Sequence, residues 1–519
     1  GIRFRVDPLS GPATCSYVVD HTTLVFQLLA AGGAAIVVLL SARGMLGSRI
    51  PTGEYHFLLL CSASGAMILA GARDLITLVV ALELVSLPAF ALVGLRGGDR
   101  RSAEAALKFF LVSVVSVAVM LFGVSLVYGV TGTVYLAEID AALRDGAGPA
   151  GSGLGGVAAV GVVLTLVGLA FKVAAVPFHF WVPDTYVGAP VPVAAYLSVV
   201  SKAAGFVGLL LVVSIAFPSY AGVWAPVVAV LAALTMTLGN LVALRQRNAV
   251  RLLAWSSVAQ AGYLLVPLGA VGSGGAAKGL LAATVAYLLI YAVVNLGAFA
   301  VVALAVGARG FGVRGTVRGT GAAGTGAAGT GAAGTGAAGA GAGRLLADYR
   351  GLAWTRPVLA CALAFFLLAL AGLPPGVIGL FGKVVIFRAA IDGGAGWLAV
   401  VMAVNVVIAL AYYLHWAALL FLPPAAAVRP AEDVRTTEDV GPAEGVRPSG
   451  GVRPSSGERP TEGERAPEAV RPAPAVARGR VAVPWPAGIA VGLLAVLGVV
   501  LSVAPNLVLD VLDVVRLAF

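Results

Sequence analysis

Charge is scarce in this sequence: Asp, Glu, Lys and Arg together make up 11% of 519 residues. Soluble domains carry about a quarter, so the chain lacks the polar surface that a water-exposed globule needs. Cysteine and histidine are rarer still. Cys15, Cys61 and Cys361 lie far apart and form no CxxC pair, and His21, His56, His179 and His415 are scattered. That leaves no zinc, haem or iron–sulfur signature. A cleavable leader is missing as well, because the first apolar run begins only near Thr22. The first residue is Gly1 rather than Met, so the native start is expected to lie upstream.

What the chain has in abundance is apolar length. It is 60% hydrophobic, with a mean hydropathy of +0.98. Runs near the roughly 20 residues that cross a bilayer place about twelve spans. They fall at 22–42, 56–72, 75–95, 104–129, 154–178, 189–216, 223–243, 249–271, 279–306, 357–391, 396–422 and 484–504. The fold class is therefore an all-α polytopic membrane protein. A net charge of +10 could suggest nucleic acid as a partner, but 23 of the 34 lysines and arginines fall in loops on one membrane side. The positive-inside rule makes that side cytoplasmic and puts both termini outside, with no nucleic-acid partner.

The organisation follows. Residues 1–55 hold an N-terminal segment and the first span, 56–217 a first five-helix repeat, and 218–306 the start of a second. A low-complexity cytoplasmic loop at 307–356 precedes the end of the second repeat at 357–422. A disordered cytoplasmic loop rich in Pro, Arg and Glu occupies 423–483, before a last span and tail at 484–519. Within the first loop GTGAA recurs over 319–343, and Gly319–Gly324 matches G-x-G-x-x-G letter for letter. A dinucleotide fingerprint needs a strand before it and a helix after it. Here a membrane span precedes and the motif repeats in tandem, which reads as flexible linker.

The fifth and tenth spans are both interrupted by proline and both carry a lysine. Lys172 precedes Pro177, and Lys383 follows Pro374 and Pro375. Their separation is five helices, and an odd number of crossings inverts the second copy in the membrane. Paired interrupted helices in matching positions mark an inverted-repeat transporter core.

A charged side chain at bilayer depth costs at least a few kcal/mol and usually marks an ion or proton route. Glu83 is the sole acid near the centre of any span. Lys172 and Lys202 lie near the middle of two apolar segments, and Lys383 just past the break in the tenth. These four are the candidate proton-translocating groups; a structural ion pair for Glu83 and snorkelling for each lysine are the alternatives. Lys108 sits only a turn inside its span, four residues after Glu104, so a plain helical ion pair fits equally well. His179, just after Pro177, could pass a proton or merely orient the loop. Arg245, Arg247 and Arg251 read as face anchors.

The motifs around these residues are long. They are LELVSLPAFALVG at Glu83, RRSAEAALKFF at Lys108, GLAFKVAAVPFHFWVPDTYVGAPVPV at Lys172 and SVVSKAAGF at Lys202, continued by RLLAWSSVAQAGYLL and LAGLPPGVIGLFGKVVIF. Together they resemble the antiporter-like membrane subunits of respiratory complex I, the NADH–quinone oxidoreductase. The resemblance runs from about Val6 to Phe519, inserts excepted, and is nearest to the N subunits. Lysine at position 383 favours N over M, where glutamate is expected, and the short tail speaks against L.

The resemblance implies a fourteen-helix fold whose first two helices would precede Val6. It implies a path through a Glu83–Lys172 pair, Lys202 and Lys383, moving protons while quinone is reduced elsewhere in the complex. This chain would be a subunit of a translocase and hold no cofactor. Flavin and iron–sulfur clusters would sit in partner subunits, beside further antiporter-like subunits in the lipid bilayer. A subunit of a multisubunit cation/proton antiporter is the alternative, and a purely structural membrane subunit a third. The composition suggests a GC-rich coding genome and hence a bacterial plasma membrane.

Overall fold

The computed structural model describes residues 15–44, 50–145, 152–271, 277–307, 344–424 and 484–508. The GTGAA insert and most of the Pro/Arg/Glu-rich loop fall outside the described residues. In hydrocarbon every backbone N–H and C=O must be paired within its own segment, which leaves helix as the answer for an apolar chain. The described residues obey: they form helices, with three isolated two-residue bridges and no strand.

The helices run in order as α1 (His21–Gly44), α2 (Thr52–Gly71), α3 (Leu75–Gly94), α4 (Arg100–Thr131) and α5 (Leu136–Asp145). Next come α6 (Gly155–Val173), α7 (Trp181–Gly188), α8 (Val191–Tyr196), α9 (Lys202–Leu211), α10 (Ala221–Ala243), α11 (Ala249–Gly269) and α12 (Ala277–Gly307). The chain ends with α13 (Leu352–Thr355), α14 (Pro357–Ala371), α15 (Val377–Asp392), α16 (Gly396–Phe421) and α17 (Trp485–Val503). Eleven stretches among them are long and apolar enough to cross a membrane, one being the composite Val191–Ala216. The twelfth expected span, 357–391, is the broken pair α14 and α15.

Local signals set the ends. Asp74, Asp99 and Asn248 cap α3, α4 and α11 by accepting backbone N–H bonds from Thr77, Arg101 and Arg251. Gly372 closes α14 with φ +85°, a left-handed turn that favours glycine.

Two sets of six elements, five spans with one of them broken in two, repeat the same neighbours. In the first, α2 packs on α3, α4 on both α6 and α7, and α6 and α2 on α9. In the second, α10 packs on α11, α12 on both α14 and α15, and α14 and α10 on α16. This is the arrangement expected of a repeated five-helix unit with one broken member.

The structure departs from the sequence expectation in three places. The break in the fifth span is not at Pro177 alone. Helix α6 already ends at Val173, 174–180 form the gap, and α7 resumes at Trp181. Lys172 is consequently in the last turn of α6, two residues before Ala174 at φ 64°, a conformation uncommon for a non-glycine residue. Next, α9 is not a plain helix: five-residue π segments, Leu197–Ser201 and Val212–Ala216, flank it. Finally, residues 344–356, assigned to the low-complexity loop, form a turn and α13, with Leu346, Tyr349 and Leu352 buried.

Candidate functional site

Lys172 is the most elaborately held of the buried charges. Its Nζ lies 3.2 Å from Glu83 Oε1 and donates to Ser86 Oγ at 2.5 Å and Ser113 Oγ at 3.1 Å. An ammonium has three donors, and all three are used. Glu83 and Ser86 are three apart on α3, hence on one face, while Ser113 comes from α4. The buried ammonium of Lys172 is tolerable when paired with the partly exposed Glu83 carboxylate and hydrogen-bonded in this way. Gly205 makes the fit possible: a Cβ there would fall 3.0 Å from Lys172 Cβ and 3.1 Å from its carbonyl carbon. Gly205 is three residues beyond Lys202, so one face of α9 links the first lysine to the second.

Lys202 is 2% exposed and has no carboxylate among its described contacts. Its Nζ donates to the backbone oxygen and the Oγ of Ser257, both at 2.6 Å. Tyr291 OH donates to the Ser198 carbonyl at 3.0 Å and lies 2.7 Å from Ser257 Oγ. Because the Tyr291 proton is committed to Ser198, Ser257 donates to Tyr291. The donors therefore run in one direction, from Lys202 through Ser257 and Tyr291 into the π segment. Asn295 Nδ2 closes the cluster on Ser198 Oγ at 2.8 Å.

Lys383 is 4% exposed. It donates to the carbonyls of Leu370 and Ala371 at 2.8 and 2.7 Å. These are the free carbonyls of α14's last turn, the negative end of a half-helix, which suits a cation. Its Nζ also stands 5.8 Å from the centre of the Tyr263 ring. A cavity of about 230 Å³ opens beside it, lined by Gly372, Leu380, Phe387 and Met402.

Helix α11 joins the second lysine to the third. Ser257 holds Lys202, the Tyr263 ring faces Lys383, and Gln260 lies between, its Oε1 accepting from Tyr287 OH at 2.5 Å. Gln260 Nε2 donates to Tyr413 OH at 3.3 Å, and that hydroxyl also pairs with Ser256 Oγ. Asn240 donates to Tyr263 OH at 3.0 Å and accepts from Tyr412 OH at 3.0 Å. The sequence reading passed over these partners. The signal was there: Ser256, Ser257, Gln260 and Tyr263 recur every three or four residues inside an apolar span, a polar stripe on one face.

The two remaining candidates sit elsewhere. Lys108 is half-exposed, 2.6 Å from Glu104 and 3.4 Å from Asp184, which also meets Arg251 at 3.4 Å. It belongs to a surface cluster on the arginine-rich side, away from the buried line. In the same region burial, helped by nearby Arg344, pulls Arg96 down to about 10 against the opposing pull of Asp99. His179 lies in the gap between α6 and α7, its ring 5.3 Å from Trp255 and its Nδ1 buried with no hydrogen-bond partner among the described residues. No group of three or more His, Cys, Asp or Glu able to hold a metal occurs among the described residues.

Comparison with known proteins is consistent across sequence and structure. The family described as NADH:quinone oxidoreductase/Mrp antiporter, TM, matches residues 72–409. NADH-quinone oxidoreductase subunit N 2 of Streptomyces griseus is 59% identical over 423 residues, covering 80% of this chain and 72% of that protein. Among solved structures, a chain of respiratory complex I from Thermus thermophilus with bound aureothin superposes with a TM-score of 0.65 at 31% identity. The match covers 96% of this chain and 88% of that one. A chain of the Mrp complex from Dietzia sp. reaches 0.72 at 22% identity, covering 96% and 84%, a likeness of fold alone.

Proposed function

The chain belongs to the NADH:quinone oxidoreductase/Mrp antiporter family, as an antiporter-like, proton-translocating N subunit of NADH-quinone oxidoreductase, and we propose that its protons pass along Glu83, Lys172, Lys202 and Lys383. The alternative, a multisubunit cation/proton antiporter, shares the family description and a likeness of fold, but the 59% identical relative is an N subunit. The observation that carries the path is the contrast among the three buried ammonium groups. Lys172 has a carboxylate partner, while Lys202 and Lys383 are held by neutral oxygens.

A neighbouring opposite charge favours the charged form of a group. With Glu83 against it, Lys172 keeps its proton; with Glu83 drawn away, it releases the proton toward Lys202, one turn along α9 from the contact at Gly205. Lys383 receives it at the carbonyl end of α14. Moving each charge against the membrane potential costs about 2.3 kcal/mol per 100 mV, so the drive must come from redox chemistry. That chemistry belongs to quinone reduction in partner subunits, where flavin and iron–sulfur centres are assigned. This chain's three free cysteines lie far apart in sequence. Homologous membrane subunits are its neighbours in the bilayer. The arginine-rich side faces the cytoplasm of a bacterial plasma membrane, and His179 serves the gap loop as a relay.

Lys172→Met tests the path in vesicles carrying the whole complex. The expected result is quinone-dependent NADH oxidation with little proton uptake, in a complex that still co-purifies with its partners. Undiminished uptake would refute the assignment.

A further inference from the structure

Gln260 occupies the one step of the α11 stripe between the contact to Lys202 and the contact to Lys383. Ser257 and Tyr263 are six residues apart, about 9 Å of helix, and Gln260 is midway. It is 1% exposed, and both ends of its amide are engaged, the oxygen by Tyr287 OH and the nitrogen by Tyr413 OH. Tyr287 in turn backs onto α15 next to Lys383: a Cβ on Gly382 would fall 2.7 Å from Tyr287 Cδ2. Tyr291, one turn on along α12, belongs to the Lys202 cluster. The Gln260–Tyr287 rung is thus the crossing point between the two lysine sites on both α11 and α12.

A serine or phenol hydroxyl can accept one proton while releasing another. An amide offers a carbonyl acceptor and N–H donors but has no titratable proton to hand on. A chain of hydroxyls built for free exchange would not place an amide at its centre. We propose that Gln260 is a proton insulator: it orders Tyr287 and Tyr413 across the crossing point and blocks direct transfer between Lys202 and Lys383 in either direction, so that a proton crosses only when water or side-chain rotation bypasses it. The plainer role, an amide tying α11 to α12 and α16, affects stability and not proton leak.

This inference rests on the lysine path. It is tested with Gln260→Glu, which matches the amide in shape but carries a titratable carboxyl, in vesicles holding the whole complex. A pH gradient is imposed without NADH and its decay followed. A positioned acid–base group speeds proton transfer by orders of magnitude, so decay is expected at least about tenfold faster than in the unmodified complex. Adding Lys202→Met should restore slow decay, and Gln260→Met alone should leave it slow. An assembled Gln260→Glu complex that holds its gradient as long as the unmodified one overturns the proposal. If Gln260→Glu does not assemble, Gln260→His is read the same way. Lys202→Met alone separates the two ideas: if it pumps normally, the path itself is wrong; if it does not pump while Gln260→Glu holds its gradient, only the insulator fails.

Discussion

Lys172 and Lys383 stand at matching breaks in two repeats, yet different kinds of oxygen hold them. Lys172 lies at the end of α6, and its partners are side chains from α3 and α4: Glu83, Ser86 and Ser113. Lys383 lies in the second half-helix, and its partners are backbone carbonyls at the end of the first, Leu370 and Ala371. Side chains can swing away; the end of a helix cannot. The same break therefore yields a pair that can be opened in the first repeat and a fixed cation seat in the second. The proposed release of a proton at the first and its reception at the second rest on that difference.

The largest effect should come from removing what only the first site has. Glu83→Gln takes the carboxylate from Lys172. Breaking a buried pair costs roughly 3–5 kcal/mol, and with the Glu83 side chain 26% exposed, about 2–3 kcal/mol is the expected share. Proton uptake per NADH oxidised should fall by the whole increment that this subunit carries, as for Lys172→Met. A fall no larger than that of Ser113→Ala would mean the charge is not what matters.

At the second site the seat is backbone, so geometry is the target. Gly372→Ala forces a Cβ onto φ +85° and sets it 3.3 Å from Lys383 Cδ. The left-handed strain alone is roughly 1–2 kcal/mol. Thermal dissociation of the solubilised complex should begin earlier, with a partial loss of proton uptake. An unchanged melt would show that α14 ends less rigidly than its carbonyl geometry requires.

The smallest effect belongs to a lysine in neither site. Lys108→Gln removes an exposed partner of Glu104 and Asp184, and such pairs contribute little. Proton uptake should match the unmodified complex in the vesicle assay. A loss like that of Lys172→Met would bring Lys108 back into the path.

These contrasts were unevenly legible in the sequence. The spans, and Glu83, Lys172, Lys202 and Lys383 within them, stood out because a charge in an apolar run is expensive and hence rare. The meeting of Glu83 with Lys172, 89 residues apart, was expected through the resemblance, not from spacing. Ser86, Ser113 and Tyr413 were silent, because single hydroxyls are common in membrane helices and only their convergence has meaning. The seat of Lys383 could not be read at all: carbonyls carry no letter, and their availability depends on where α14 stops. The gap at 174–180 is signalled by Pro177 within it but not in its extent, because proline announces a break and not how far it runs, and nothing in LSVVSKAAG announces a π segment.

The most direct measurement is the number of protons moved per electron in vesicles containing Lys172→Met, Lys383→Met or both. If one path runs through the two repeats in series, each single substitution and the double remove the same increment. A double variant that loses the sum of the two single losses would mean two independent routes and would contradict the single line from Glu83 to Lys383.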